Sequence, residues 1–488
     1  MVRSGSWFSG WAPGLVWLGG LVYAALVMTP HVGAPVRMGL VFNEMLSNLL
    51  HERFDLSPAT VGGEAFERGG RSYAYFGVFC ALLRAPLLLA GRMGVDMTGA
   101  SILVAAALSL AARLGAASLV LDRFGAGAAP RWAVLAAAAT NGESIQYLHP
   151  SLYQEVVSWG CALAAVFVWL ALRMVLGAVR RRGACYAAMA GVAGLALLCR
   201  VSFGLGLYCA LSLMLAVELW SGRRALALGA RMLAPAAAIL VVFAGLAGGV
   251  NTARWGDPLS FVPLRYQKIA HRIYPDRAPR LQRYGEVNIR RVPFALQYYF
   301  APVWGLTDRR GDLIFQAQQA DLFEDVEAPP AALPLSDPVI CLLAGTGVFA
   351  LAFARGGVGD RRLAIAALAG LCVPAGLMLA AISLTFRYRM EFYPGLDLAA
   401  WLGLAALAER GGAGAAAKYA SPVLGALAVA GMAAAAVGLL AYALMPFGPA
   451  TDLITARGWG GIMVDRLEGR DVYRGHLTPD GRRLPLER

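Results

Sequence analysis

The stretch YASPVLGALAVAGMAAAAVGLLAYALM, residues 419–445, contains no charged side chain. As an α-helix, at about 1.5 Å per residue, it is longer than the roughly 30 Å hydrocarbon layer of a bilayer. A soluble core does not need an uncharged run of this length. The stretch therefore predicts a helix that crosses a membrane.

The composition of the whole chain agrees with this prediction. Of the 488 residues, 58% are hydrophobic and 15% are charged, and the mean hydropathy is +0.59. A soluble protein carries roughly 25% charged residues. The net charge of +13 comes almost wholly from arginine, because the only lysines are Lys268 and Lys418. Since these arginines lie in loops and at span ends, they indicate membrane topology and exclude a nucleic-acid partner.

Apolar runs of about 20 residues predict an all-α polytopic membrane protein with about eleven transmembrane helices. The first run is too long for a signal peptide, so it is interpreted as an uncleaved span. The predicted spans are 12–29, 98–121, 131–147, 152–176, 184–199, 201–220, 230–250, 336–354, 362–384, 392–408 and 419–445.

Arginines in short loops, such as the run 180–182, predict which side of the membrane is cytoplasmic. On this basis the N-terminus is cytoplasmic and the C-terminus is outside, in a multi-pass protein of the bacterial inner (plasma) membrane. The stretch 73–91 contains Arg84 and Pro86, and a twelfth span here would reverse every later loop. We therefore expect an interfacial helix whose arginine reaches the headgroups.

This topology divides the chain into four parts. An N-terminal transmembrane module, 1–250, includes the first outer loop, 30–97. A large outer loop follows at 251–335 and contains the acidic patch 321–327, and the C-terminal helices occupy 336–445. The outer tail is 446–488. Long outer loops are where a membrane enzyme can build a site above the bilayer.

Ionisable side chains gather at the predicted outer ends of the spans, where charge at membrane depth is costly. Each also has a purely structural interpretation. Glu44, Glu64 and Asp55 can be solvated loop carboxylates, and Glu155 can merely complement a helix dipole. Arg387 and Arg389 can anchor the interface beside Glu391, Arg200 can extend to headgroups, Asp257 can stabilise a turn, and His149 can be a loop histidine.

Five short motifs occur in a fixed order along nearly the whole chain. They are Glu44, Tyr73-Ala74-Tyr75-Phe76-Gly77, Glu155, Trp255-Gly256-Asp257-Pro258-Leu259-Ser260-Phe261, and Arg387-Tyr388-Arg389-Met390-Glu391-Phe392-Tyr393-Pro394. This order resembles the GT-C superfamily of membrane glycosyltransferases, in particular the protein O-mannosyltransferases and aminoarabinose transferases. Two departures are Glu44, where that family more often has aspartate, and Cys80, where proline is usual.

The resemblance implies an enzyme that moves a sugar from a polyprenyl-phosphate donor to an acceptor hydroxyl at the outer face. It implies no metal and no cofactor beyond the lipid-linked sugar, and the acceptor is a glycan, a lipid or a protein. A carboxylate can take the proton of an attacking hydroxyl, and arginine suits phosphate oxygens. The expected roles are catalysis for Glu44 and Glu155, donor-phosphate binding for Arg389, Arg387 and Arg200, and substrate binding for Tyr73, Tyr153 and Asp257.

Two other functions remain open at this point. A transporter or lipid flippase needs no covalent chemistry, although the polar residues gather at one face and no repeat symmetry is visible. A catalytically inert protein of the same fold is also compatible, because fold does not determine activity. The seven cysteines show no CxxC or zinc spacing. Six of them lie inside apolar runs and are interpreted as small apolar residues, namely Cys161, Cys185, Cys199, Cys209, Cys341 and Cys372.

Overall fold

A computed structural model of the chain is mostly helical. It describes residues 7–28, 36, 38–123, 128–140, 146–147, 150–221, 226–268, 271, 277–301, 322–323, 325–326, 332–353, 359–410, 415–444, 476–477 and 483–484. His149, the acidic patch 321–327 except for residues 322–323 and 325–326, and nearly all of the tail 446–488 lie outside the described residues.

The α-helices, numbered in chain order, run from the N-terminal span to the last long helix. They are α1 (Trp7–Met28), α2 (Val41–Leu49), α3 (Pro58–Val61), α4 (Phe79–Leu82), α5 (Ala85–Leu89), α6 (Thr98–Arg123), α7 (Ala128–Ala139), α8 (Leu152–Val175), α9 (Arg182–Cys199), α10 (Val201–Ser221), α11 (Leu226–Trp255), α12 (Arg277–Tyr284), α13 (Val292–Phe300), α14 (Leu333–Ser336), α15 (Pro338–Phe353), α16 (Arg361–Leu371), α17 (Val373–Leu379), α18 (Tyr393–Arg410) and α19 (Ala415–Leu444).

Three two-stranded sheets and four short 3-10 helices complete the described structure. The strands are β1 (Phe66–Arg68) with β2 (Arg71–Tyr73), β3 (Asp325–Val326) with β4 (Ser383–Leu384), and β5 (His476–Leu477) with β6 (Arg483–Leu484). The 3-10 helices are Gly62–Glu64, Leu264–Tyr266, Ile289–Arg291 and Phe386–Phe392. The β1–β2 hairpin turns at Gly69 and Gly70, which both have positive φ, as two-residue hairpin turns require.

Seven helices in the described part of the chain are long and apolar enough to cross a membrane, so the protein is a multi-pass membrane protein. They are Trp11–Met28, Thr98–Arg123, Leu152–Val175, Arg182–Cys199, Val201–Ser221, Met232–Trp255 and Arg361–Leu379. The predicted count of eleven is not confirmed. Helix α7 has 12 residues and α15 has 16, which reach only about 18 and 24 Å at 1.5 Å per residue.

The expected continuous helix over 73–91 is wrong. Tyr73 ends strand β2, and the segment contains only the short helices α4 and α5, the second with Pro86 in its first turn. Proline lacks the N–H that would continue the preceding helix. The expected position of Arg84 at the headgroups is also wrong, because its side chain is completely buried and pairs with Glu155.

The first outer loop and the start of the large outer loop meet at one end of the helix bundle. Helices α6 with α8, α9 with α11, α10 with α16 and α15 with α18 pack against one another along the bundle. Helix α8 starts at this end, where Ser151 caps it by accepting a hydrogen bond from the Tyr153 backbone. The cap places Tyr153 and Glu155 in the first turn, facing the loops.

Candidate active site

The first outer loop is held to helix α8 by a buried ion pair. Arg84 donates one hydrogen bond to each carboxylate oxygen of Glu155, at 2.6 and 2.7 Å, and neither side chain is exposed. Arg84 Nε also donates to Asn43 Oδ1 at 3.1 Å. A two-point contact of this kind is strong and directional. Both carboxylate oxygens of Glu155 are therefore engaged, and its expected catalytic role stays a prediction.

Glu44 follows Asn43 in helix α2 and is half-buried. Its carboxylate accepts hydrogen bonds from the backbone N–H of Ser57 at 2.7 Å and from Ser57 Oγ at 3.0 Å. Ser57 in turn caps helix α3 by accepting from the backbone of Thr60. Glu44 thus stabilises the start of α3, and its role as the catalytic base stays a prediction.

Two further ion pairs involve the C-terminal helices, and one of them reaches helix α6. Arg389 donates to Asp337 and Ser336, and the Tyr393 hydroxyl donates to Asp337 Oδ2 at 2.9 Å. One helical turn deeper, Arg113 Nε donates to Asp397 at 2.8 Å. Both pairs are almost fully buried. The Arg389 guanidinium is therefore engaged within the protein, and its expected contact with a donor phosphate stays a prediction.

Tyr153 lies at the centre of a half-buried group contributed by distant parts of the chain. The Arg387 guanidinium carbon lies 4.3 Å from the centre of the Tyr153 ring, as in a cation–π contact. The Glu64 carboxylate lies near the Tyr153 hydroxyl. Phe76 packs edge-on against Tyr153 and stacks on Tyr75, with ring centres 5.3 and 4.3 Å apart.

Tyr75 interacts electrostatically with two further side chains, Tyr388 and Arg200. Burial raises the pKa of the Tyr75 hydroxyl, with Tyr388 and Glu64 adding to the shift and Arg387 and Arg200 opposing it. The hydroxyl therefore stays protonated at neutral pH and is able to donate a hydrogen bond. The half-buried group, here called the tyrosine–arginine cluster, consists of Glu64, Tyr75, Tyr153, Arg200, Arg387 and Tyr388.

Arg200 joins the cluster to a buried carboxylate. Its Nε donates to Glu391 Oε1 at 2.6 Å, and its guanidinium carbon lies 5.4 Å from the centre of the Tyr388 ring. Ser202 Oγ donates to the same carboxylate oxygen at 3.0 Å. Within the described residues, Glu391 Oε2 has no hydrogen-bond partner although the residue is fully buried. Burial raises the pKa of Glu391, and Arg200 opposes that rise.

The two remaining predicted substrate residues lie at the edge of this region. Tyr73 packs edge-on against Trp255, with ring centres 5.5 Å apart, and is buried. The carboxylate of Asp257 is exposed and accepts a hydrogen bond from the backbone of Leu259 at 3.0 Å, as an Asp turn does. The contribution of either residue to substrate binding stays a prediction.

Contacts between the loops show that Glu44 and Arg389 lie at the same end of the bundle. Asn43, next to Glu44, is linked through Arg84 to Glu155 in the first turn of α8. Tyr153, in the same turn, contacts Arg387, two residues before Arg389. Of the predicted residues, Tyr153 and Arg387 are in direct contact, and Arg200 lies against Tyr388, the residue after Arg387.

The sequence alone favours a solvated Glu64 and indicates no role for Tyr75 or Tyr388. Tyr75 and Tyr388 both stand inside the quoted motifs, so proximity to those motifs was the available signal. Glu64 had no such signal, because only the fold brings the 3-10 helix Gly62–Glu64 to Tyr153.

The described residues contain no group of three or more histidine, cysteine, aspartate or glutamate side chains that could hold a metal ion. The cluster instead offers hydroxyl donors, one accessible carboxylate and two guanidinium groups. Guanidinium groups suit phosphate oxygens, and a carboxylate beside them can accept a proton. The expectation that the protein uses no cofactor is left untested.

No protein-family model matches the sequence, and no curated protein matches it either. Structural similarity is found to the oligosaccharyltransferase of Archaeoglobus fulgidus. Its apo form matches with a TM-score of 0.50 at 15% identity, covering 99% of this chain and 62% of that chain. The form tethered to an acceptor peptide with the NVT sequon matches with 0.50 at 14%, covering 93% and 58%.

A third structure, the archaeal oligosaccharyltransferase AglB with an inhibitory peptide and a dolichol-phosphate, has a TM-score of 0.49 at 15% identity, covering 99% and 62%. The chain spans less than two thirds of the length of the structures that it matches. At this identity the similarity concerns the fold alone, a helical membrane fold that this chain shares with the two structures at a TM-score of 0.50.

Proposed function

We propose that the protein is a membrane glycosyltransferase that moves a sugar from a polyprenyl-phosphate donor to an acceptor hydroxyl at the outer face of a bacterial inner membrane. The observation that carries this proposal is the tyrosine–arginine cluster, in which Arg387 and Arg200 lie beside Glu64 at one end of a GT-C fold. The motif order supports the branch of O-mannosyltransferases and aminoarabinose transferases.

Arg387 and Arg200 bind the donor phosphate in this proposal. The phosphate is the leaving group, so it needs positive charge more than it needs an acid. Arg387 is half-buried on the Tyr153 ring, and Arg200 is fixed by Glu391. Because the Tyr75 hydroxyl stays protonated, it adds a neutral hydrogen-bond donor.

Glu64 takes the proton from the attacking acceptor hydroxyl. Its carboxylate is half-buried and lies near a neutral hydroxyl, that of Tyr153. The oxygen of the acceptor forms the new bond to the sugar carbon, and the bond from that carbon to the phosphate oxygen breaks. Glu44, the base expected from the motif, lies in the same loop and is the competing candidate.

The acceptor is a glycan, a lipid or a protein, and the other partners are the polyprenyl-phosphate lipid and the membrane. Placing the N-terminus in the cytoplasm and residues 446–488 outside puts the cluster at the outer face. At that face a lipid-linked sugar can react with an acceptor that lies outside the cytoplasm.

The test is sugar transfer by purified protein in vesicles that contain a radiolabelled polyprenyl-phosphate sugar. We expect Arg387→Ala to lower the rate at least 100-fold, because one charge-assisted phosphate contact is lost from the transition state. The matched control is Arg290→Ala, which removes an exposed arginine of the large outer loop. Full activity of Arg387→Ala, or equal losses in both variants, contradicts the proposal.

A further inference from the structure

Two cysteines that are 119 residues apart in the sequence meet beside the candidate site. Cys80 lies in helix α4 of the first outer loop, and Cys199 is the last residue of helix α9. Their Sγ atoms are 4.0 Å apart, and both side chains are buried. The sequence shows no sign of this pairing, since neither cysteine belongs to a CxxC motif.

The backbones that carry the two cysteines are also in contact. A Cβ atom added at Gly77 would lie 1.9 Å from the carbonyl oxygen of Leu198 and 2.7 Å from that of Cys199. Only glycine allows this approach, so the loop is held against the end of α9. A disulfide has sulfurs about 2.05 Å apart. The sulfurs therefore need to approach by about 2 Å to form the bond.

We propose that Cys80 and Cys199 are a disulfide site that fastens the first outer loop to the end of helix α9. In the reaction one thiolate attacks an oxidant disulfide, and the second cysteine attacks the resulting mixed disulfide. The two cysteines lose two electrons, which reduce the oxidant to two thiols, and those thiols take up the two protons. The oxidant belongs to the thiol–disulfide exchange class that acts outside the cytoplasm.

The bond would connect two parts of the candidate site. Cys80 stands four residues before Arg84, which holds Glu155, and Cys199 directly precedes Arg200 of the tyrosine–arginine cluster. A covalent link here fixes the loop relative to that arginine. Because the link closes a long loop, it also restricts the unfolded chain and stabilises the folded one.

Burial determines when the bond forms. The buried environment raises the pKa of the Cys80 thiol, so the reactive thiolate is scarce once the loop has packed. The oxidant also has poor access to sulfurs that are 0% and 1% exposed. We therefore expect oxidation before the loop packs, and the protein should be isolated from its membranes without reductant.

The test is labelling with N-ethylmaleimide after denaturation without reductant, read by intact mass. The chain has seven cysteines, so with two of them joined we expect five labels, and seven after reduction. The digest should contain one cross-linked peptide pair, holding Cys80 and Cys199. Seven labels without reductant, or a cross-link between any other pair, overturns the proposal.

Two variants make the labelling result specific. Cys80→Ala should accept six labels with or without reductant, whereas Cys161→Ala, a matched buried cysteine within helix α8, should accept four and then six. Reductant should lower the thermal unfolding midpoint of the native protein but not that of Cys80→Ala. Neither readout involves sugar transfer. A negative result for the disulfide therefore does not contradict the proposed activity, and loss of the proposed activity does not contradict the disulfide.

Discussion

Two sets of arginines lie at the loop end of the helix bundle and differ in their surroundings. Arg84 and Arg389 are buried, and each is paired with a carboxylate, Glu155 or Asp337. Arg387 and Arg200 are less buried and lie against tyrosine rings, although Arg200 is also paired with the buried Glu391 carboxylate. A buried pair that loses one partner leaves an uncompensated charge. We therefore expect the first set to maintain the fold and the second set, whose guanidinium groups are more exposed, to meet the proposed donor phosphate.

The largest effect is expected for Arg84→Ala. Removing the guanidinium leaves the Glu155 carboxylate buried without its partner, which costs about 3–5 kcal/mol. We expect the variant to unfold at a much lower denaturant concentration than the native protein, or to be degraded before it accumulates in the membrane. Chemical unfolding in detergent micelles measures this loss.

The double variant Arg84→Met with Glu155→Leu is the control for that experiment. It replaces both charges with apolar groups of similar size, and such replacements are often neutral in stability. It should recover most of the lost free energy of unfolding. If the single variant is as stable as the native protein, the pair does not hold the loop, and the division between the two sets of arginines fails.

The next largest effect is expected for Glu64→Gln, and it distinguishes Glu64 from Glu44 in the same loop. Glu64→Gln should lower the rate of sugar transfer at least 100-fold while thermal stability stays close to native, because an amide cannot take up the acceptor proton. Glu44→Gln should keep the activity and lose about 1 kcal/mol of stability, since one hydrogen bond from Ser57 is disturbed.

Rate and unfolding midpoint are measured on the same preparations of both variants. A reversed pattern, with activity lost only in Glu44→Gln, assigns the base to the residue that the motif order favoured. It would also show that a carboxylate bonded to Ser57 still takes part in the chemistry.

The helical membrane fold could be predicted from the sequence because its signal is local. Long apolar runs with few charges placed all seven candidate membrane-spanning helices within a few residues of their observed bounds. Where the runs are short, as in α7 and α15, length alone does not show whether a helix spans the membrane. The segment 73–91 failed because its one charge is satisfied by Glu155, 71 residues away.

The candidate site could be predicted only in part, because its contacts join residues that are far apart in the sequence. Tyr153 and Arg387 lie in polar stretches at helix ends, which a topology assignment brings to one face. Which carboxylate an arginine pairs with depends on contacts such as that between Arg389 and Asp337, 52 residues apart. Pairing over such distances leaves no pattern in a single sequence.

A smaller effect is expected for Tyr153→Phe. The substitution keeps the ring under Arg387 and removes only the hydroxyl, which lies near Glu64 and is able to donate a hydrogen bond to it. Loss of one such hydrogen bond corresponds to about 1 kcal/mol, so the rate should fall roughly five- to tenfold. Steady-state kinetics with the lipid-linked donor measure it. A loss as large as that of Glu64→Gln would make the hydroxyl a direct participant.

The smallest effect concerns an exposed ion pair in the same loop. Arg53 donates to Asp55 at 2.7 Å and holds the pKa of that carboxyl below its usual range. The pair therefore stabilises the fold above the ordinary aspartate pKa, and this contribution disappears as the pH falls through the lowered value. Because Arg53 is 57% exposed, solvent screens most of the attraction. Asp55→Asn should thus lower the thermal midpoint slightly at pH 6 and match the native protein near pH 2. An equal difference at both pH values would mean that charge plays no part, and that only the buried pairs of this loop act electrostatically.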